Sequence, residues 1–209
     1  MSIGRSMGII ASLIIFLLAV TLHECAHAFI AYKLGDSTAQ KMGRLTLNPL
    51  AHIDLFGTII LPLMLIMLRS PVLLGWAKPV PINFAKLNNP KKDMVWVGLA
   101  GPAINMIFAF AASLIFKALI STSPQTTYFL IFLEYAIIIN IILALFNLIP
   151  IPPLDGSRVL MGLLPKPLAL MIARLEPYGF IILFVLLYLG LLNTILWPLT
   201  MSIAHFLLN

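Results

Sequence analysis

The N-terminal part of the chain contains an apolar run, Met7–Tyr32, in which Glu24 is the only formally charged residue. The run is longer than the ~20 residues that a membrane-spanning helix needs. A charge at membrane depth costs roughly 2.5–3.5 kcal/mol on an insertion scale, so an ionisable residue there is usually functional. The run therefore predicts a retained spanning helix that carries a chemical site. A cleaved signal peptide would have a shorter apolar region.

The polar residues of this run form the sequence His23-Glu24-Cys25-Ala26-His27. In a helix the two histidines lie on one face, at i and i+4, where two neutral imidazoles bind one Zn²⁺. Glu24 would reach a metal-bound water, whose pKa the metal lowers toward ~7. The pattern is typical of a metalloprotease in which the glutamate takes the water's proton and later delivers it to the leaving amine. Cys25, the only cysteine, is interpreted as a packing residue.

Composition restricts the class of protein further. The chain is 61% hydrophobic and 10% charged, with a mean hydropathy of +1.07, which excludes an ordinary soluble domain. Its net charge of +6 comes from lysines and arginines spread through short loops, so nucleic acid is not an expected partner. No stretch between the apolar runs is long enough for a soluble module, and we expect residues 1–209 to form a single intramembrane metalloprotease domain.

Further apolar runs predict an all-α, polytopic membrane protein with about four to six transmembrane helices. Met94–Phe116 is long enough to span and has a face of small residues, and Tyr128–Ile149 returns through the membrane. Leu55–Leu68 is shorter and is interrupted by proline, so it is either re-entrant or a short tilted span. The tail Pro177–Asn209 holds one long span or two short ones divided near Asn193 and Pro198.

The loops are expected to contain short β elements. Residues 43–47 alternate weakly and predict a short strand, whose edge could pair with an extended substrate. Lys78–Asn83 contains two prolines and predicts extended structure. The basic loops around residues 33–54, 77–92 and 156–176 are expected on the cytoplasmic side and the uncharged turn 121–127 outside. This arrangement places the zinc site toward the cytoplasmic face.

Two residues are candidates for the third zinc ligand. A tetrahedral catalytic site needs three protein ligands and an open position. Asp155 follows a proline-broken helix end, Asn147–Leu154, which fixes the direction of its carboxylate, and its charge offsets part of the metal's charge. His52 is the alternative, because imidazole is the commoner ligand. We expect Asp155 to bind zinc and interpret His52, beside Asp54, as an orienting, substrate-side or structural residue.

Taken together, four motifs resemble the site-2 protease family of intramembrane zinc metalloproteases. They are HECAH at 23–27, NPLAHIDLFGT at 48–58, AGPAIN at 100–105 and NLIPIPPLDG at 147–156. The resemblance implies that His23, His27 and Asp155 bind zinc, that Glu24 is the general base and that Asn147 positions the substrate or its transition state. It also implies regulated cleavage of single-span membrane proteins near the cytoplasmic leaflet. The family's PDZ-like and CBS-like regulatory domains have no counterpart in the sequence, so the means of substrate selection stays open.

Two alternative functions compete with proteolysis. A metal transporter would need ligands staggered along a path across several spans, whereas the candidates here cluster at one depth. A catalytically dead binding protein would not need a free carboxylate beside the metal, yet Glu24 is present. Proteolysis is therefore the expected function.

Overall fold

The computed structural model describes residues 3–60, 63, 64, 67, 77–122 and 127–209. Within these residues the protein is helical and contains no strand. In chain order the α-helices are α1 Ile3–Lys33, α2 Thr38–Lys41, α3 Pro90–Thr122, α4 Thr127–Asn147, α5 Asp155–Leu163, α6 Lys166–Ala173, α7 Gly179–Tyr188 and α8 Leu191–Leu208. Short 3₁₀ turns cover Pro49–His52, Phe84–Lys86 and Glu176–Tyr178.

Four segments of the described chain are long and apolar enough to cross a membrane: Ala11–Lys33, Pro90–Ser121, Tyr128–Asn147 and Lys166–Tyr188. A further apolar helix, Thr194–Leu208, is shorter. Large apolar side chains such as Phe110 and Phe184 are more than half exposed, as expected for surfaces that face lipid. The prediction of an all-α polytopic membrane protein is confirmed.

The main core lies where α1, α3, α4 and α8 meet. Its buried residues are mostly alanine and β-branched or leucine side chains, which let the helix axes approach closely. They are Ile15, Ala109, Ala112, Leu133, Ala136, Ile137, Ile141, Ala204 and Leu207. The small-residue face predicted on α3 is partly used for such contacts: Gly98 and Gly101 are packed against neighbours, whereas Ala103 is exposed.

The prediction of a strand at residues 43–47 is wrong. Residues 42–43 form a turn after α2, and residues 45–46 form a bend. Side chains occupy backbone groups that a strand would leave for a neighbour. His52 Nε2 donates to the Thr46 carbonyl at 2.9 Å, and the backbone N–H of Asn48 donates to Thr46 Oγ1 at 3.1 Å. Local hydrogen bonds of this kind compete with sheet pairing. In contrast, residues 78–83 form neither helix nor strand, and Asn83 at their end has extended backbone angles, as predicted.

Two other predicted segments differ in the structure. The charged loop expected at residues 156–176 contains the helices α5 and α6. One face of α5, made of small residues and Met161, is buried, and Gly162 packs against Val95 of α3. The tail forms two helices, one of the two predicted alternatives, and they are divided at Gly190, with φ +72°, which is three residues before Asn193. Glycine adopts this left-handed conformation without steric cost, whereas Pro198 lies inside α8.

The start of the predicted re-entrant segment is also helical. Leu55–Ile60 forms a π-helix, and Asp54 caps it, since Asp54 Oδ1 accepts from the Gly57 amide at 2.7 Å. Residues 61, 62, 65, 66 and 68–76 lie outside the described residues. The choice between a re-entrant and a spanning path depends on them and stays a prediction.

Candidate metal centre and its cleft

Helix α1 carries the two histidines of the HECAH motif one turn apart. Both are buried, and their ring centroids are 4.6 Å apart. The two Nε2 atoms lie 3.0 Å from each other. Since two imidazole lone pairs do not attract, a separation this short indicates a site for a proton or a metal ion between them.

Asp155 reaches these histidines from the other end of the chain. Helix α4 ends at Asn147, the prolines at 150, 152 and 153 prevent its continuation, and α5 begins at Asp155. A Cβ on Gly156 would lie 2.2 Å from the Leu148 carbonyl oxygen, so only glycine allows α5 to start this close to the end of α4. This turn brings Asp155 Oδ2 to 3.0 Å from His23 Nε2 and 3.1 Å from His27 Nε2.

The three ligand atoms fit a tetrahedral zinc ion. They form a triangle with sides of 3.0, 3.0 and 3.1 Å. Zinc–ligand bonds of ~2.0–2.1 Å at tetrahedral angles need ligand atoms about 3.3 Å apart. Two imidazole nitrogens and one carboxylate oxygen are also a common donor set of catalytic zinc sites, and they leave one coordination position open. Within the described residues this is the only group of three or more such side chains.

A backbone carbonyl of α3 orients one of the histidines. His27 Nδ1 lies 2.7 Å from the Val97 carbonyl oxygen. A carbonyl only accepts, so the proton is on Nδ1 and the lone pair of Nε2 faces Asp155 and His23. Bonds of this kind fix the tautomer and the ring direction of metal-binding histidines.

Helix α3 approaches the histidines so closely that position 101 has no room for a side chain. A Cβ on Gly101 would lie 2.4 Å from both His23 Cε1 and His27 Nε2. These distances are far below van der Waals contact, so glycine is required for the helix to cover the site.

The carboxyl group of Asp155 is held in its ionised form. Burial by itself raises its pKa, but in the metal-free protein the positive charge of a protonated His27 and hydrogen bonds from both histidines outweigh that effect, so the pKa of the Asp155 carboxyl lies well below its ordinary value. The proton on Nε2 leaves when that nitrogen binds a metal ion. An ionised carboxylate is the form that binds a metal cation.

The ligand triangle opens into a cleft of about 630 Å³. Most of its lining is apolar and comes from α1, α4, α7 and the segment at residues 77–84. The apolar lining residues include Phe16, Val20, Leu143, Phe146, Phe180, Leu183, Phe184 and Leu187. A cleft of this size and polarity holds apolar side chains and excludes most water.

Glu24 lies in the same cleft and is half-buried. Its Oε2 accepts a hydrogen bond of 2.7 Å from the backbone N–H of Val80, which belongs to the extended segment at residues 77–83. No other described residue bonds to this carboxylate. One oxygen of Glu24 is therefore fixed, and the other is free to exchange a proton within the cleft.

Comparison with known proteins agrees with this geometry. The family model "Peptidase family M50" matches residues 115–190, which include the turn leading to Asp155. A protein of Bacillus subtilis (strain 168) named "Putative zinc metalloprotease YwhC" is 40% identical over 195 residues, which cover 88% of this chain and 83% of that protein.

The chain belongs to peptidase family M50. Two mycobacterial proteins, both named "Putative zinc metalloprotease Rip2", are also similar. The one from Mycolicibacterium smegmatis (strain ATCC 700084 / mc(2)155) is 30% identical over 178 residues, and the one from Mycobacterium tuberculosis (strain ATCC 25618 / H37Rv) is 30% identical over 182 residues. In each case the match covers 85% of this chain and 66% of the relative. No solved structure gives a significant match.

These findings confirm the resemblance to the site-2 proteases and the prediction of a zinc-dependent metalloprotease. The apolar spanning segments make this M50 peptidase a multi-pass membrane protein. Its activity and its metal are thus established at the level of the family. The role of each residue at the site is proposed below.

The remaining candidate residues lie at different distances from the ligands. Asn147 lines the same cleft, where its Nδ2 donates to the Leu143 carbonyl at 3.0 Å. His52 is fully buried but lies outside the ligand group, and it bonds instead to the Thr46 carbonyl. Asp54 caps the following helix. The structure therefore joins Asp155, and not His52, to the two histidines.

Sequence reasoning missed three contributors to this M50 site. The Val97 carbonyl and the Val80 N–H are backbone groups, which leave no signal in residue type. Gly101 was recognised as part of a small-residue face, but its contact with both histidines depends on the packing of α3 against α1. The proline at position 102 directly after it is the one sequence signal that marks an unusual place in that helix.

Proposed function

We propose that this M50 peptidase is an intramembrane zinc metalloprotease that cleaves single-span membrane proteins near the cytoplasmic leaflet. The observation that carries the proposal is the position of the ligand triangle at the base of an apolar cleft between α1, α4 and α7. A site for soluble peptides would not need walls of phenylalanine and leucine. Basic loops on the HECAH side of the spans support a cytoplasmic orientation, in the cell membrane.

In this proposal His23, His27 and Asp155 hold the zinc ion. When bound, zinc acts as a Lewis acid that polarises the scissile carbonyl and makes a water nucleophilic at neutral pH. Glu24 is the general base: its free oxygen takes a proton from the attacking water and delivers it to the leaving amine. The Val80 N–H fixes the other oxygen of Glu24, so the carboxylate does not have to reorient between the two proton transfers.

Asn147 would position the substrate. It ends α4 at the edge of the cleft, and its Nδ2 is bonded within its own helix. No described residue donates to its Oδ1, which leaves an acceptor for a backbone N–H of the substrate. A substrate helix must first unwind to present such an N–H and its carbonyl, because a helical backbone bonds these groups internally.

The Glu24→Gln variant tests this proposal. The amide keeps the shape of the side chain but removes the base, so we expect zinc content within twofold of wild type and loss of cleavage. Zinc is measured by metal analysis on the purified protein. Membranes that contain wild-type or Glu24→Gln protein are then compared by proteomics for single-span proteins that stay uncut.

Cys25→Ala is the matched control, because it changes the next residue of the same helix without removing a polar group from the cleft. It should retain both zinc and cleavage. Activity near wild type in Glu24→Gln would refute the general-base mechanism. Accumulation of soluble proteins only, with no membrane protein among them, would refute the substrate class.

A further inference from the structure

Arg44 is a buried cation that the ligand triangle does not use. Its relative exposure is 9%, and no described carboxylate lies within ion-pair distance of it. Burying a charge without a partner is costly, so a buried arginine usually has a specific role. Instead of a carboxylate, its guanidinium donates to two backbone carbonyls, Lys78 O at 2.7 Å and Pro79 O at 3.4 Å.

These two carbonyls belong to the segment that contacts the catalytic glutamate. The backbone N–H of Lys78 also donates to the His52 carbonyl at 3.0 Å, and the backbone N–H of Asn83 donates to Asp36 Oδ2 at 2.6 Å. The loop that follows α1 thus holds residues 78–83 at both ends. Arg44 supplies the side-chain contact at the end nearer to Glu24.

Between these two ends, proline restricts which groups can donate. Pro79 and Pro81 have no N–H, and the Val80 N–H between them donates to Glu24. The Val80 side chain is 8% exposed and packs against Ala28 of α1 and Ala39 of α2. The position of the Val80 N–H is thus set by two things: the packing of its own side chain and the contacts that hold the preceding carbonyls.

From this chain of contacts we propose that Arg44 is a positioning residue for catalysis: it holds Lys78–Pro79 so that the Val80 N–H keeps Glu24 directed into the cleft. The inference rests on the proposed role of Glu24 as general base. A glutamate side chain loses rotamer entropy when it is fixed in one direction. An N–H bond to a carboxylate is among the stronger hydrogen bonds and offsets that loss. Misplacement of a catalytic group by about 1 Å is enough to cost ~100-fold in rate.

The first test measures the contact without any substrate. Hydrogen exchange at the Val80 amide is followed in full-length, zinc-loaded protein in detergent; Pro79 and Pro81 carry no amide, so few amides contribute to the peptide that contains it. We expect Arg44→Ala to speed exchange there at least tenfold with zinc content unchanged. Lys41→Ala is the matched control: this lysine lies three residues earlier with an exposed side chain, and exchange should stay at the wild-type rate.

The second test separates positioning from a purely structural role. A fluorogenic peptide with the cleavage site of a protein that accumulates in Glu24→Gln membranes serves as the substrate. Arg44→Ala should lower kcat about tenfold with KM within twofold, and Arg44→Lys, which keeps a donor for Lys78 O, should recover part of that loss. Val80→Pro removes the N–H itself, so adding Arg44→Ala to it should lower kcat no further.

Each outcome decides between the alternatives. The inference would be overturned if Arg44→Ala kept the wild-type exchange rate at Val80 and the wild-type kcat. It would also be overturned if the losses in kcat from Arg44→Ala and Val80→Pro multiplied in the variant that carries both changes. If Arg44→Ala does not fold, the exchange rate and kcat of Arg44→Lys decide in its place. If Glu24→Gln is active, the general-base proposal fails, whereas the exchange experiment still reports whether Arg44 holds Val80.

Discussion

The two sides of the cleft are built differently. The packed side is formed by α1, α3, α4 and α5. Of the most apolar 18 residues of the α1 span, 39% are buried. The opposite side is the α7 wall, Gly179–Tyr188, which belongs to the span Lys166–Tyr188. Of the most apolar 18 residues of that span, 11% are buried, and within α7 only Gly179 and Leu183 are buried. Every proposed zinc ligand lies on the packed side, whereas the α7 wall contributes apolar lining alone.

This difference separates two requirements of a protease in a membrane. Metal ligands must be held within a few tenths of an ångström, which needs helices fixed by close packing and by hydrogen bonds such as that from His27 to Val97. A wall that admits substrate must instead give way at low cost, which is easier for a helix with few buried contacts. We therefore expect changes on the packed side to affect zinc and stability, and changes on the α7 wall to affect neither strongly.

The largest expected effect is the loss of zinc in Asp155→Ala. Removing one of three ligands should lower zinc affinity by more than ~100-fold, because even outer partners of metal ligands contribute ~10–100-fold. Zinc titration with a competing chelator measures the change. His52→Ala, which removes a buried imidazole outside the ligand group, should keep most of the metal even if activity falls. Zinc loss in His52→Ala with retention in Asp155→Ala would reverse the ligand assignment.

Gly101→Ala should have the next largest effect, since it adds a methyl group where His23 and His27 already lie. The new Cβ would meet both rings at 2.4 Å, so α3 or the imidazoles must move. We expect zinc affinity to fall about 10–100-fold, measured by the same titration. Ala103→Ser changes an exposed position two residues further along α3 and should bind zinc as wild type does. Equal affinities for all three proteins would mean that the packed side is not rigid.

A pair of truncations compares the two sides by stability. Ile137 is fully buried in the main core, whereas Phe184 of the α7 wall is 56% exposed. In water-soluble proteins such a truncation costs ~2–5 kcal/mol, the sum of a water-transfer term and a cavity term. Because lipid is as apolar as the core, only the cavity term is expected here, and Ile137→Ala should lower the free energy of unfolding by at least ~1 kcal/mol. Phe184→Ala should change it by less than ~0.5 kcal/mol. Unfolding in mixed micelles measures both, and a larger loss in Phe184→Ala would contradict the comparison.

Among the changes on the packed side, the smallest effect is expected at Asp36, in the loop that follows α1. Burial raises the pKa of its carboxyl, but hydrogen bonds from the Thr38 hydroxyl and from the amides of Asn83 and Thr38 outweigh this and lower the pKa overall. Since the carboxylate is favoured in the folded state, its stabilisation is present above the ordinary pKa of ~3.9 and is lost as the pH falls through the lower folded value.

Asp36→Asn should therefore lower the Tm at pH 7 by about 2–4 °C, equivalent to roughly 1 kcal/mol. The difference from wild type should begin to narrow as the pH falls below about 3.9, because the carboxyl of the unfolded chain becomes protonated there while the folded one, with its lower pKa, follows only at a lower pH. A thermal shift series from pH 7 to pH 3 tests both points. A difference that stays constant or widens toward low pH would show that the carboxylate charge is not what stabilises this loop.

Much of the site could be predicted because its signals are local. His23 and His27 are related by a single helical turn, so their common face follows from the spacing alone. The prolines before Asp155 end one helix and limit where the next begins, so a carboxylate directed back toward the site could be expected as well. The long apolar runs predicted the spanning helices for the same reason.

Other features depended on contacts between distant parts of the chain. Residues 156–176 were expected to be a charged loop, but the first part of this segment is the helix α5, whose face of small residues and Met161 is buried against the protein. Residues 43–47 have a weak strand pattern, yet the hydrogen bonds of His52 and Asn48 to Thr46 produce a bend.

The sequence by itself determined the class of membrane protein, the zinc chemistry and the helix that carries two of the ligands, because apolar length and helical spacing act within one segment. Only the tertiary structure decided which groups complete the site. Asp155 is 128 residues from His27, and Val80 is 56 residues from Glu24. Contacts over such separations depend on how whole helices pack, and backbone groups such as the Val80 N–H are the same in every residue except proline, so residue type does not reveal their role.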